Sequence, residues 1–282
     1  MDELFTTSSL VDGEFCNVLP ADDRGLAYGD GLFETVLIFS GQPVWWPEHL
    51  DRLRRGAVRL GIEPPADALW DADAAKLMNA NSGCSPFVLK LILTRGSGSR
   101  GYAPSPTSLP RRIVQLRPAP VIDAGWRRDG VRLRWCDLRL CLQTRLAGIK
   151  HLNRLEQVLA RAEWSDADIA EGVLLDVEEN VVCATAANIF VVRDRHLVTP
   201  AVERCGVAGV CRMHILNVIG ASVRSVSVTD LLSAEELFVC SSVRGILPVA
   251  ALGDQRWPIG PVTRQCMALL ASTIPAFADH AL

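Results

Sequence analysis

The stretch LAGIKHLNRLEQVLARAEW (146–164) decides the reading of this chain. It opens on an apolar approach, Leu146, Ala147 and Ile149, places a lysine at 150, and continues as an amphipathic segment. Leu152, Leu155, Leu159 and Ala162 recur at helical spacing, so a helix is expected over 150–164 with these residues on one side. A lysine held among apolar groups loses solvation of its charged form, its pKa falls, and the neutral amine becomes available as nucleophile or base. On spacing alone, a solvated lysine at a helix start is the commoner reading. Lys150 stands out further because Lys76 and Lys90 are the only other lysines.

Upstream, GLFETVLIFSG (31–41) reads as a strand ending in a turn, and PEHLDRLRRGAVRLGI (47–62) as a helix. Pro47 suits the first turn of that helix, Leu50, Leu53, Ala57 and Leu60 form its apolar face, and Gly61 can end it. PFVLKLILTRG (86–96) and RRIVQLRP (111–118) are further strands. They are separated by the Gly/Ser/Arg segment RGSGSRGY (95–102) and followed by the Pro-containing stretch RPAPVIDAG (117–125). Downstream, strands are expected over 131–140, 172–182 and 187–199, with turns at Glu179-Asn180 and Asp194-Arg195. A Gly-rich loop then opens a helix within 205–220, and two strands fill 236–249. Strands come in runs rather than in strict alternation with helices. That pattern implies an α+β protein of two mixed domains: 1–117, a linker at 118–125, and a larger 126–282 carrying Lys150.

Three segments could bind anions. GVAGVCR (206–212) puts Gly206 and Gly209 ahead of a helix whose first N–H groups, at Val210 and Cys211, would favour a phosphate; Gly-rich turns also precede helices for steric reasons. Arg52 in EHLDRL could reach the same anion, or could share a solvated face with Arg55 and Arg59. In RGSGSRGY, Arg95 and Arg100 are suited to gripping a carboxylate, and a mobile surface loop explains them equally well. Both tyrosines, Tyr28 and Tyr102, fall in these glycine-rich stretches.

Bulk properties narrow the class. A net charge of −3 with 49% hydrophobic residues gives no footprint for nucleic acid or an anionic membrane. The start, MDELFTTSSLVDGEF, lacks a basic, apolar leader, and no apolar run approaches the ~18 residues of a span, so a soluble cytoplasmic protein is expected. The nine cysteines show no CxxC pattern and no HExxH motif accompanies them, so reduced thiols rather than a metal site are expected.

In order along the chain, DRGLAYGDGLFET (23–35), EHLDRL, TRGSGSRGY (94–102), the lysine segment, AANIF (186–190), CGVAGVCR (205–212) and ELFVCSSVRGILPV (236–249) resemble the class-IV aminotransferase family, the fold-type-IV enzymes that use pyridoxal 5'-phosphate. GIKHLNRLEQVLAR and RGSGSRGY are most similar to its bacterial aminodeoxychorismate lyases. The resemblance implies a homodimer like D-amino-acid aminotransferase in fold, with the site between two domains. It also implies 4-amino-4-deoxychorismate as substrate and a place in folate biosynthesis. Lys150 matches the lysine that holds the cofactor as an imine and moves protons. Arg52, the N–H groups of the Gly209, Val210 and Cys211 turn, and Ser242 match the phosphate site. Tyr28, Arg95, Arg100 and Asn153 lie in segments that match the substrate site. One position departs from the family. Five residues before Asn188, where the family places a glutamate on the cofactor's ring nitrogen, this chain has Cys183. A neutral thiol supports the ring as an electron sink less well than a carboxylate does. Two alternatives therefore stay open: an aminotransferase acting on D-amino or branched-chain amino acids, and a catalytically silent homologue.

Overall fold

The computed structural model describes residues 9–81, 86–98 and 100–281. Cys84, Ser99 of the Gly/Ser/Arg segment and the first eight residues of the acidic start lie outside the described residues. The chain divides into two compact units, residues 1–120 with 149–153, and residues 121–148 with 154–282. The division falls within the Pro-containing stretch. The lysine segment, expected in the larger domain, groups instead with the first unit, for reasons of backbone pairing given below.

The first unit runs β1 (Ser9–Val11), β2 (Glu14–Phe15), α1 (Arg24–Tyr28), β3 (Gly31–Phe39), β4 (Gln42–Pro43), α2 (Trp46–Leu60), α3 (Asp67–Ala80), β5 (Phe87–Thr94) and β6 (Arg111–Pro118). Its six strands form one antiparallel sheet in the order β2-β1-β6-β5-β3-β4. The strand period of two sorts the side chains. Leu32, Glu34 and Val36 of β3 share a face with Leu89, Leu91 and Leu93 of β5 and Val114 and Leu116 of β6, and all are buried. Leu50, Leu53 and Ala57 of α2 and Trp70, Ala74 and Leu77 of α3 complete this core. Gly56 allows α2 its close approach, since a Cβ there would lie 2.8 Å from the Leu32 side chain. The opposite face of the sheet carries Phe33, Thr35, Lys90 and Ile92, all half-buried. As the sequence predicts, α2 has Pro in its first turn and ends on Gly61 in the left-handed conformation.

The second unit holds α4 (Ala124–Arg128), β7 (Val131–Leu140), α5 (Leu155–Arg161), β8 (Ile169–Asp176), β9 (Asn180–Ala184), β10 (Asn188–Arg193) and β11 (His196–Pro200). There follow α6 (Val210–Ile219), β12 (Ser222–Arg224), β13 (Val226–Ser227), α7 (Val228–Leu232), β14 (Glu236–Ser241), β15 (Gly245–Leu252), β16 (Gln255–Arg256) and α8 (Pro261–Thr273). Its mixed sheet runs β12-β11-β10-β14-β15-β7-β8-β9-β13, with β16 on β15. The central strands are buried on both faces, which is why IFVV in β10 and LFV in β14 read as unbroken apolar runs. Phe190 and Phe238 stack at 4.9 Å in the middle. The two expected turns are present, with Glu179, Asp194 and Arg195 at positive φ.

One expectation is corrected. The helix predicted over 150–164 covers only Leu155–Arg161, because residues 150–153 are extended and pair with β3. The apolar side predicted for it is largely outward: Leu155 and Leu159 are 74% and 61% exposed, the neighbouring Val158 is 59% exposed, and within α5 only Ala160 is buried. Among the described residues no helix is long and apolar enough to cross a membrane. Leu91 lies at the centre of the first unit's core, so Leu91→Ala should lower unfolding free energy by about 2–5 kcal/mol, read as a reduced urea midpoint.

Candidate active site

Lys150 is placed by backbone pairing rather than by a helix. Phe33 N–H donates to the Lys150 carbonyl at 2.9 Å, Leu152 N–H donates to the Gly31 carbonyl at 3.0 Å, and His151 bridges Leu32. The segment thus behaves as a short extra strand against the start of β3. The lysine side chain is half-buried, with Nζ 4.3 Å from the centre of the Phe33 ring. An ammonium at that distance gains attraction from the ring face. Asn153 donates its side-chain N–H to the Gly29 carbonyl at 3.0 Å. Gly29 ends α1 at φ +64, and a Cβ there would meet Asn153 at 2.7 Å, so both reasons require glycine.

On the other face of β3, Glu34 accepts from Arg52 through Nε at 2.8 Å and through Nη2, and meets His49 Nδ1 at 2.7 Å. All three residues are buried. Burial would raise the Glu34 carboxyl, but the Arg52 charge and the hydrogen bonds from Arg52 and His49 prevail and hold it at about 2. Burial pushes the His49 pKa down against the pull of Glu34, and the charges of Arg52 and Lys150 act in the same direction as burial. His49 is therefore a neutral ring presenting Nδ1–H to a carboxylate, and its buried Nε2 has no hydrogen-bond partner among the described residues. Arg52 is thus not a member of a solvated arginine face but a fork fixed bidentately by Glu34.

The Gly/Ser/Arg segment is tied down from two sides. Arg95 donates to both oxygens of Asp30 and to the carbonyls of Leu60 and Gly61 at the end of α2. Those bonds occupy the donors that a substrate carboxylate would need, so Arg95 serves structure. Arg24, buried, donates to Asp30 and to the carbonyls of Gly101 and Tyr102, and lies over the Tyr28 ring at 4.9 Å. Tyr28 and Tyr102 meet with ring centres 5.5 Å apart. Arg100 is exposed. Sequence reasoning missed Arg24, Glu34 and His49. The two acids and the one arginine of DRGLAYGDG and the His three residues before Arg52 were the available signals.

In the second unit, Gly209 is the N-cap of α6 and supplies no side-chain cap to the N–H groups of Val210 and Cys211. A Cβ at Gly209 would lie 2.1 Å from Asn188 Oδ1, and Asn188 in turn donates to the Val207 carbonyl at 2.9 Å. The turn is thus built around a glycine, and an uncapped helix start of this kind suits a phosphate. The Cys240 thiol beside it and burial push the Cys211 thiol well above its ordinary range, leaving the residue's role at the turn to its backbone. Ser242, half-buried, lies in the turn between β14 and β15, whose Arg244 is held by Glu171. Cys183, on β9 opposite Leu174, is buried among Cys136, Val182 and Cys205. Burial and the Cys205 thiol push its pKa up to about 12, and the charge of Arg154 does not overcome them. Cys183 is a neutral thiol.

The family model described as amino-transferase class IV matches residues 31–252, and the chain belongs to that family, whose enzymes use pyridoxal phosphate. It is similar to the 4-amino-4-deoxychorismate lyase of Pseudomonas aeruginosa, a solved structure, with 46% identity and a TM-score of 0.89 over 94% of this chain and 99% of that one. It is 36% identical to the aminodeoxychorismate lyase of Vibrio harveyi over 88% of this chain and 93% of the relative. The D-alanine aminotransferase of Bacillus licheniformis is 25% identical over 90% of each chain.

The buried cluster should shape the acid response. His49 is held below its ordinary 6.5, so as pH falls through that value the unfolded chain takes up a proton the folded chain refuses, and stability drops. The Glu34 carboxyl lies near 4.5 unfolded and about 2 folded, so its contribution is full above 4.5 and lost between 4.5 and 2. That loss is on the order of 3 kcal/mol. Urea midpoints measured from pH 7 to pH 3 should show both declines, and Glu34→Gln should remove the lower one.

Proposed function

We propose that this protein acts as a 4-amino-4-deoxychorismate lyase, converting that substrate to 4-aminobenzoate and pyruvate with pyridoxal 5'-phosphate as cofactor. The Vibrio harveyi relative and the Pseudomonas aeruginosa structure, which resemble it over most of their lengths, carry that activity in their names. The observation that carries the reading is the placement of Lys150, fixed through its carbonyl by β3 and directed by its side chain onto Phe33.

When bound, pyridoxal phosphate supplies an aldehyde that condenses with amines and a ring that accepts an electron pair. Lys150 is the residue that would hold it. In the first unit Arg52, with its fork fixed by Glu34, is the candidate donor to the cofactor's phosphate; in the second, the N–H groups of Val210 and Cys211 behind Gly209 and the Ser242 hydroxyl are the candidates. Lys150 Nζ, as the free amine, would take the proton from the amine-bearing carbon of the substrate. The C–O bond on the adjacent carbon then breaks, enolpyruvate leaves and is protonated to pyruvate, and the remaining ring becomes aromatic. Arg100 rather than Arg95 grips a substrate carboxylate, because Arg95 is committed to Asp30 and the end of α2. Asn153, held on the Gly29 carbonyl, positions the lysine segment, and Tyr28 lines the substrate side.

Cys183, at the position where the family places an acid for the ring nitrogen, would not hold a proton there by charge. Aromatisation lessens the demand on the ring in a lyase, whereas transamination needs the ring as a sink in both half-reactions, so this residue disfavours an aminotransferase. It also supports a second reading, a cofactor-binding chain with little turnover. The exposed stripe of Leu155, Val158 and Leu159 on α5 supports a homodimer, since an uncovered apolar helix face marks an association surface.

Purified protein given the cofactor and 4-amino-4-deoxychorismate should release 4-aminobenzoate, and Lys150→Ala should slow release by at least about a thousandfold. Borohydride should bleach the absorbance of the cofactor complex and leave a covalent adduct at residue 150 by mass spectrometry. Cys183→Glu should raise turnover; an unchanged low rate would show that the missing acid is not the limitation. Leu155→Glu combined with Leu159→Glu should shift the sedimentation coefficient from dimer to monomer.

A further inference from the structure

His49 makes a bond that charge balance alone does not call for. It lies three residues before Arg52 on α2, fully buried, with Nδ1 2.7 Å from Glu34 Oε2. Glu34 already faces a guanidinium, since Arg52 donates through Nε to Oε1 and through Nη2 to Oε2. Burial works against the ionised acid, and the Arg52 charge is the strongest influence that offsets it. The ring's tautomer follows from its partner. A carboxylate only accepts, so Nδ1 carries the hydrogen and the neutral ring leaves Nε2 as a bare acceptor. Among the described residues no donor reaches that buried Nε2. Burying an acceptor without a donor is destabilising, so the imidazole stands here at a cost that an apolar side chain would avoid.

The extra bond has a geometric consequence. The terminal torsion of a glutamate is broad, and a carboxylate gripped by one guanidinium can swing with it as a unit. Here Oε2 is shared between His49 Nδ1 and Arg52 Nη2, and both donors stand on the same helix. The carboxylate plane is thereby fixed against α2. A guanidinium bound through two parallel hydrogen bonds lies in the plane of its carboxylate. Fixing one plane fixes the other, and with it the edge of Arg52 that faces away from Glu34. The ring does this without adding a charge: burial holds it neutral, and Arg52 and Lys150 oppose its protonation.

We propose that His49 is a positioning residue for the anion that Arg52 binds: acting through Glu34, it sets the direction in which the guanidinium meets the cofactor's phosphate. The inference rests on the reading of Arg52 as a phosphate donor, and on the geometry of α2 and β3 alone for the clamp.

The test uses the whole chain freed of cofactor. It compares affinity for pyridoxal 5'-phosphate with affinity for pyridoxal, which offers the same aldehyde but no phosphate, so the ratio isolates the phosphate. Arg52→Gln should lower that ratio by roughly ten- to a hundredfold, because it removes a charged donor. His49→Gln and His49→Leu should lower it by roughly tenfold. His49→Asn should keep it within about threefold, because the asparagine amide nitrogen takes the place of Nδ1 whereas that of glutamine takes the place of Nε2. Asparagine also leaves the larger gap in the core, so its urea midpoint should fall at least as far as that of His49→Gln while its phosphate preference survives. In the 15N imidazole spectrum of the unliganded protein, the neutral Nδ1–H tautomer should give one set of signals that His49→Asn removes. A wild-type ratio in both His49→Gln and His49→Leu, or a ring at position 49 protonated on Nε2, would overturn the proposal. An equal loss in His49→Asn would assign the effect to packing and overturn it as well. A wild-type ratio in Arg52→Gln would instead defeat the reading of Arg52 as the phosphate donor, and the inference with it.

Discussion

The two faces of β3 organise the first unit. Because consecutive side chains in a strand point to opposite sides, Glu34 enters the core beneath α2 while Phe33 turns to the half-buried surface. Glu34 can remain a carboxylate there only because Arg52 and His49 meet it, and a buried acid without such partners would be costly. The same strand lends its backbone to the Lys150 segment through the Phe33 amide and the Gly31 carbonyl. One nine-residue strand therefore sets the orientation of an arginine fork on one side and of the Lys150 segment on the other. A slip of one residue in its register would exchange the two faces and lose both.

Much of this was legible in the sequence, for identifiable reasons. The helix α2 carries its own start and stop signals in Pro47 and Gly61, so its limits could be read locally. The turn before α6 was legible as glycine spacing, although the reason Gly209 must be glycine, its contact with Asn188, lies in a neighbouring strand. What could not be read was partnership at a distance. Arg52 could be read as an anion ligand or as one of three arginines on a solvated helix face, and only the pairing with Glu34, eighteen residues earlier, separates it from Arg55 and Arg59. Arg95 was misjudged as free to bind substrate because nothing local reveals Asp30 beneath it. The residues after Lys150 fit a helical period and a strand-like pairing alike; tertiary hydrogen bonds to β3 chose the second.

The thiol at position 183 shows how a site can be altered without disturbing its frame. Cys183 is buried among apolar side chains and packs as a small hydrophobe. The strand accommodates it with ordinary pairing to Leu174. A thiol differs from a glutamate side chain in both size and charge, and Cys183 places a buried neutral group on the strand where an acid would need a charge partner.

The placement of residues 149–153 has a bearing on how the chain acquires its structure. Five residues bordered on both sides by segments of the second unit complete the sheet edge of the first. Their partners on β3 are more than a hundred residues earlier, so these contacts raise the contact order of a unit whose other strands pair over shorter separations. During synthesis the amino-terminal unit can assemble its sheet and helices early, but the edge formed by residues 149–153 must wait for later sequence to leave the ribosome. Completion of that edge is thus a late event in folding, and a nascent chain stopped at the linker would leave the start of β3 without its late partner.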